Sequence, residues 1–386
     1  MDRLTTENLT SLANASGEPL LSLYMPTERA GREVQQNRIR FKNLIDDARK
    51  TLEGKSAEAL GNQLDELAKL EEDDPFWQHQ SDGLCFFLDG KQVQRWRLPA
   101  DFQLLAVCSD RYHIRPLCRY LQDDGRFYIL AVSQNDVRLF LGTKDSIAEL
   151  EEADLPSDLR SALNIDEYVS SLQHHSTASD GGEAMFHGHG GSDPDVQKQD
   201  EIKQYFHHID AALSSFFGTE RTPLVFAGVE YLFPLFRETC SYNRLIEEPV
   251  KGNPDDLTGE ELHEKAWPLV GKLFDKQRGE ILEQYGTAQA NQLGSDDIQI
   301  VLPAAKQGQV QTLITAEGEH LWMGSDEGKL PQEGAAEDLV NAAVVATLTN
   351  GGEVLSAHKE QLGEKPLAAI MRFPLNASQL EEAETN

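Results

Sequence analysis

Apolar residues fall along this chain in short unbroken blocks separated by turn-forming clusters. Leu20 to Met25, closed by Pro26, then Gly83 to Leu88, Val93 to Leu98 and Leu104 to Cys108 read as strands, with Asp89-Gly90 as a hairpin turn. Between the first two blocks the apolar period lengthens to that of a helix over 35–53 and again over 57–71. A further helix is predicted over 113–122, and Asp123-Asp124-Gly125 marks a boundary.

Beyond that boundary, Phe127 to Val132 and Val137 to Gly142 flank Gln134-Asn135-Asp136, a strand–turn–strand signal. A short helix is expected near 157–164. Residues 165–193 then lose all periodicity and read as a long irregular loop. Ser192-Asp193-Pro194 starts a helix over 194–217 whose inner face is Ile202, Phe206, Ile209, Leu213 and Phe216, and Pro223 to Val229 is a buried strand. The last third holds a long helix over 259–289 with a hinge at Pro268, and further helices over 296–307 and 338–348. Its strands are Val310 to Ala316, Val354 to Ala357 and Leu367 to Phe373. The polar end, 381–386, is expected to fray. Strands alternating with helices define an α/β fold, each domain a mixed sheet packed with helices, in three domains: 1–125, 126–258 and 259–386.

Composition narrows the function. The 386 residues carry 35 Lys and Arg against 65 Asp and Glu, a net charge of −30, which excludes indiscriminate nucleic-acid binding by the whole surface. No apolar run suits a membrane span and the N-terminus lacks the apolar centre of a signal peptide, so a soluble, cytoplasmic protein is expected. Cys85, Cys108, Cys118 and Cys240 form no CxxC pair and are expected to be buried free thiols. Positive charge prevails in one stretch only, where Arg29, Arg32, Arg38, Arg40, Lys42, Arg49 and Lys50 outnumber Glu28, Glu33, Asp46 and Asp47. Phe41, Leu44, Ile45, Ala48 and Leu52 share one helical face there. Arg38, Lys42 and Arg49 share another, a basic stripe that is either an ordinary solvated face or a phosphate-contacting one.

The second concentration of chemistry lies in and beside the irregular loop. Six of the eleven histidines (His174, His175, His187, His189, His207 and His208) and five glycines fall within 35 residues. A metal site is one reading, yet His187-Gly188-His189 lacks the HExxH spacing and no Cys or carboxylate pattern completes a shell, so no metal or other cofactor is assigned. Phosphate-loop patterns are likewise missing. Gly190-Gly191, at a flexible tip just before a helix, would let backbone amides approach a substrate closely.

Taken in order, these pieces resemble the bacterial archaeo-eukaryotic release factor-like family, in the superfamily of archaeo-eukaryotic peptide-chain release factor 1, Pelota and the hibernation factor Balon. The residues carrying the likeness are Pro19 to Thr27, Phe76-Trp77 through Gly83-Leu84, Arg126 to Ala131, Phe186 to Gly191, Pro223 to Tyr231, Glu261 to Trp267, Val301 to Ala305 and Asn350-Gly351-Gly352.

The resemblance implies a three-domain, tRNA-shaped architecture. Its first domain would reach the decoding centre, its second would carry a Gly-Gly-Gln loop into the peptidyl transferase centre, and its third would be a ribosomal-protein-like module for partners. Gly190 and Gly191 match the two glycines, but Ser192 stands where the glutamine belongs, with His187 and His189 as candidate polar substitutes. Gln36-Asn37-Arg38-Ile39-Arg40 replaces the stop-codon-reading motif, so codon-specific termination is not expected.

The implied function is ribosome hibernation or rescue of stalled ribosomes. The implied partners are rRNA, tRNA and a translational GTPase, with neither DNA nor membrane. Peptidyl-tRNA hydrolysis and histidine-rich metal binding are the alternatives.

Overall fold

A computed structural model describes residues 2, 4–17, 19–29, 34–52, 57–122, 125–133, 136–144, 146–150, 153–156, 194–218, 220–323 and 337–374. The helix expected at 157–164, the loop at 165–193 and the C-terminal residues 381–386 lie outside them. The chain forms two compact units, Met1–Arg126 with Leu273–Asn386, and Phe127–Lys272. It is a mixed α/β protein with three sheets packed with helices.

The first sheet comprises β1 (Leu20–Pro26), β2 (Gly83–Leu88), β3 (Val93–Leu98) and β4 (Leu105–Ser109) in the order β3-β2-β1-β4. It is antiparallel throughout, because tight connections such as Asp89-Gly90 reverse the chain. There the Asp89 carboxylate accepts from the Lys91 and Gln92 amides at 2.8 and 2.7 Å, and Gly90 takes the positive φ of 81° that its lack of a Cβ allows. The helix Val34–Leu52 lays Phe41, Leu44, Ile45 and Ala48 on one face of this sheet, as its period predicted.

The other face of the first sheet shares its core with the last third of the chain. Tyr24, Phe87, Trp96 and Leu117 belong to one apolar cluster with Val301, Leu313, Val344 and Leu367. That last third carries β10 (Gly294–Ser295), β11 (Val310–Ala316), β12 (Glu353–Ala357) and β13 (Leu367–Met371) in the order β10-β13-β11-β12, with β11 and β12 parallel. The helix Leu339–Thr349 is apolar all round because it lies inside this shared core.

Asn341 helps to tie the two parts by polar bonds. Asn341 Oδ1 accepts from the Ile114 and Arg115 amides at 2.9 and 3.3 Å, and its Nδ2 donates to the Tyr112 carbonyl at 3.1 Å. It therefore satisfies open amides at the start of the helix Arg115–Gln122 from more than two hundred residues away. Asn341→Ala should cost about 2 kcal/mol, since buried amides lose their acceptor. Chemical denaturation that finds the variant as stable as the parent would count against this capping role.

The second unit holds β5 (Phe127–Val132), β6 (Val137–Gly142), β7 (Ile147–Glu149), β8 (Leu224–Gly228) and β9 (Val250–Lys251) in the order β7-β6-β5-β8-β9. β5 and β8 are parallel, and the long helix Pro194–Phe217 precedes β8 in the chain, after the β5–β6–β7 strands. That helix buries Ile202, Tyr205, Phe206, Ile209, Leu213 and Phe217. Phe217, rather than the expected Phe216, completes the inner face and packs 4.6 Å from the Tyr128 ring. Gly259–Ala290 runs through Pro268 as a single helix, so the expected hinge is not a break. The four cysteines are free, and Cys240 is half-buried where full burial was expected, because it caps the exposed end of the helix Leu232–Thr239.

Candidate functional site

The basic stripe lies on the solvent side of Val34–Leu52, and the residues that surround it are acidic. Arg29 makes a bidentate pair with Asp82, both bonds at 2.6 Å. Arg40 pairs with Glu28 at 3.1 Å, Arg38 with Asp74, and Arg49 with Asp46 at 3.3 Å and Asp65 at 3.0 Å. Lys42 is exposed and has no ion pair among the described residues. Arg32 lies outside them.

The positive charge that stands out in the sequence is thus largely compensated in space, partly by carboxylates from distant segments. Pairs at this degree of exposure contribute roughly 0–1 kcal/mol each, so a phosphate can displace the carboxylate at small cost.

Asn37, in the middle of the stripe's first turn, faces inward. Its Oδ1 accepts from the Glu28 amide at 2.9 Å and its Nδ2 donates to the Glu28 carbonyl at 3.0 Å, which fixes the segment leaving β1 against the helix. Beside it Ile39 is 62% exposed, an apolar side chain between Arg38 and Arg40. Arg38, Ile39 and Lys42 are all accessible to solvent on this helix.

Gly190, Gly191, His187, His189 and Ser192 lie outside the described residues. The helix that follows them is anchored: Tyr205 and Phe206 stack at 6.0 Å, and Phe206 meets Phe226 and Phe236 edge-on at 6.3 and 5.3 Å. His207 and His208, two of the six clustered histidines, point to solvent from this helix.

His113, His320 and Asp338, which no spacing in the sequence sets apart as a group, are gathered by the fold in the unit containing the first and third sheets. One donor atom from each lies within 4.8 Å of the other two. Asp338 caps the helix Leu339–Thr349, its Oδ1 accepting from the Val340 and Leu321 amides at 3.0 and 3.1 Å, while its Oδ2 accepts from His320 Nδ1 at 2.9 Å. Arg115 lies 3.7 Å from the same oxygen and donates to the Ala316 and Glu319 carbonyls.

Burial pulls the His113 imidazole down to about 3, with Asp338 countering and His320 and Arg115 adding to the fall. Burial alone would raise the Asp338 carboxyl, but the His320 hydrogen bond and the charges nearby bring it below the usual range. The only sequence signal was Asp338 as a helix start, because its partners lie far away along the chain.

The middle unit combines a mixed sheet with a long helix ahead of β8. Residues 127–272 match the family model of bacterial archaeo-eukaryotic release factor family 7, which bears out the resemblance read from the sequence. Solved structures similar to this chain include a model of ribosome-bound archaeal Pelota and ABCE1, 10% identical with a TM-score of 0.40, covering 96% of this chain and 95% of that one. Dom34 of S. cerevisiae, a translation termination-like factor that interacts with Hbs1, is 10% identical with a TM-score of 0.39, covering 76% and 74%. The archaeal translation termination factor aRF1 is 15% identical with a TM-score of 0.23, covering 95% and 96%. Comparison with curated protein sequences gives no match. No described helix is long and apolar enough to cross a membrane.

Proposed function

We propose that this chain is a cytoplasmic ribosome-associated translation factor, acting in hibernation or in rescue of stalled ribosomes, with the Gly190-Gly191 loop directed to the peptidyl transferase centre. The observation that carries the reading is the match of residues 127–272 to a release factor family, since these residues include the glycine pair and its anchored helix. In this reading the modules 1–125, 126–258 and 259–386 divide the work. The first touches rRNA through the Arg38–Lys42 face, the second enters the catalytic centre, and the third meets a translational GTPase. Ser192 in place of the glutamine favours a binder over a peptidyl-tRNA hydrolase, because no amide side chain follows the glycines to orient water.

Sedimentation through a sucrose gradient tests this directly. The wild-type chain is expected to travel with ribosomes at low salt and to leave them as salt rises. Arg38→Glu, Lys42→Glu and Arg49→Glu combined should weaken association on the order of tenfold or more, since up to three phosphate contacts would be lost. Equal pelleting of parent and triple variant would deprive the stripe of its role, and a wild type that never leaves the top of the gradient removes the whole reading.

A further inference from the structure

We infer that His113, His320 and Asp338 form a binding site for one divalent transition-metal ion of the zinc class, a site independent of any action on the ribosome. The three residues come from three separate segments: His113 from the loop after β4, His320 from the loop after β11, and Asp338 from the start of the helix Leu339–Thr349. Two imidazoles and a carboxylate are a donor set that zinc-class ions favour over magnesium or calcium, which prefer all-oxygen shells.

His113 supplies the second, independent observation. Its ring is 1% exposed, and Nε2 has no hydrogen-bond partner among the described residues. Buried polar nitrogens are seldom left without one. Its main chain is fixed on both sides: the His113 amide donates to Ser22 Oγ at 2.9 Å and its carbonyl accepts from the Tyr24 hydroxyl at 2.5 Å. The ring also stacks on Trp322 at 5.9 Å and 22°, and His320 stacks on the same indole at 5.2 Å and 18°. One apolar surface therefore aligns both imidazoles, and metal-binding imidazoles need such fixed orientation.

Distances fit a modest closure. Zinc–ligand bonds near 2.0–2.1 Å place tetrahedral donors roughly 3.4 Å apart, so donors within 4.8 Å of one another have to converge by an ångström or so. The hydrogen bond between His320 Nδ1 and Asp338 Oδ2 would give way to the ion, the imidazole proton moving to Nε2, so the ring stays neutral and no proton is lost from it.

His113 and His320 line a cavity of about 110 Å³ together with Tyr24, Phe102, Arg115 and Arg119. Arg115 offsets part of the carboxylate charge against any dication, so the affinity and the choice of metal fall to the two imidazole nitrogens.

The test uses the full chain, stripped with a chelator and titrated with Co²⁺ followed by Zn²⁺. One Co²⁺ per chain is expected, with visible d–d bands that Zn²⁺ erases. His113→Gln and His320→Gln should each weaken binding by on the order of 100-fold, whereas His187→Ala with His189→Ala should leave it unchanged. His320 is the less buried of the two imidazoles, so His320→Gln decides the matter if His113→Gln does not fold. Absence of stoichiometric cobalt in the wild type overturns the proposal. So does binding that survives His320→Gln, or binding lost with the loop histidines.

Discussion

Asp338→Ala is expected to destabilise the metal-free protein by about 3–5 kcal/mol, the cost typical of removing one member of a buried charged network. In a unit of this size that corresponds to a fall in Tm on the order of 10 °C. The loss is large because one carboxylate serves three hydrogen-bond donors and the charge of a nearby guanidinium. The Val340 and Leu321 amides lose their acceptor, His320 Nδ1 loses its partner, and the Arg115 guanidinium is left without its counter-charge in a nearly closed environment.

Asp338→Asn separates these contributions. Its amide oxygen can still cap the helix while the negative charge is gone, so the loss should fall between those of the parent and the Ala variant. Differential scanning calorimetry on the three proteins provides the check. If Asp338→Ala melted within 2–3 °C of the parent, a shift worth roughly 1 kcal/mol, the network would not be what holds His320 and Arg115 in place.

Asp338 also shows where sequence reading stops. As a helix start it was legible, because an Asp before an apolar run is a local signal. Its second role was not, since His113 and His320 enter only through the packing of the last third of the chain on the first sheet. The same division holds elsewhere. Gly83–Leu88 and Phe127–Val132 are buried at every position and announced themselves as unbroken apolar runs.

Val250–Lys251 and Gly294–Ser295 are two-residue edge strands, too short for any period, and exist only because a neighbour offers a pairing edge. The helix Thr6–Asn14 was passed over although Thr5 and Asn8 form a reciprocal cap, because its apolar face is narrow. For the basic stripe, the spacing of Arg38, Lys42 and Arg49 was legible, but the carboxylates Asp74 and Asp65 that meet two of them arrive from distant segments. Charge counted along a chain overstates charge presented in space.

Acid should destabilise the metal-free protein from about pH 6.5 downward, earlier than carboxylates alone would bring about. The unfolded chain protonates His113 near its ordinary value of 6.5, whereas the folded chain holds it down to about 3 because the ring is buried. Between those values the unfolded state binds the extra proton, so stability falls as pH falls, by about 1.4 kcal/mol per unit and roughly 4–5 kcal/mol over the whole interval.

Asp338 acts in the same direction lower down. Its folded value lies below the ordinary 3.8, so the stability it contributes is complete above that value and is lost as pH drops through the folded one. The charged groups acting on His113 are Asp338, His320 and Arg115, with Asp110, Arg111 and Glu337 lining one cavity beside it and Asp101, Arg119 and Glu317 lining another. Tm measured in chelator from pH 7.5 to 4 should slope throughout, and His113→Gln should flatten the portion above pH 5. A parent protein with a constant Tm between pH 7 and 5, or a variant with the parent's slope, would mean that some other group carries the acid response.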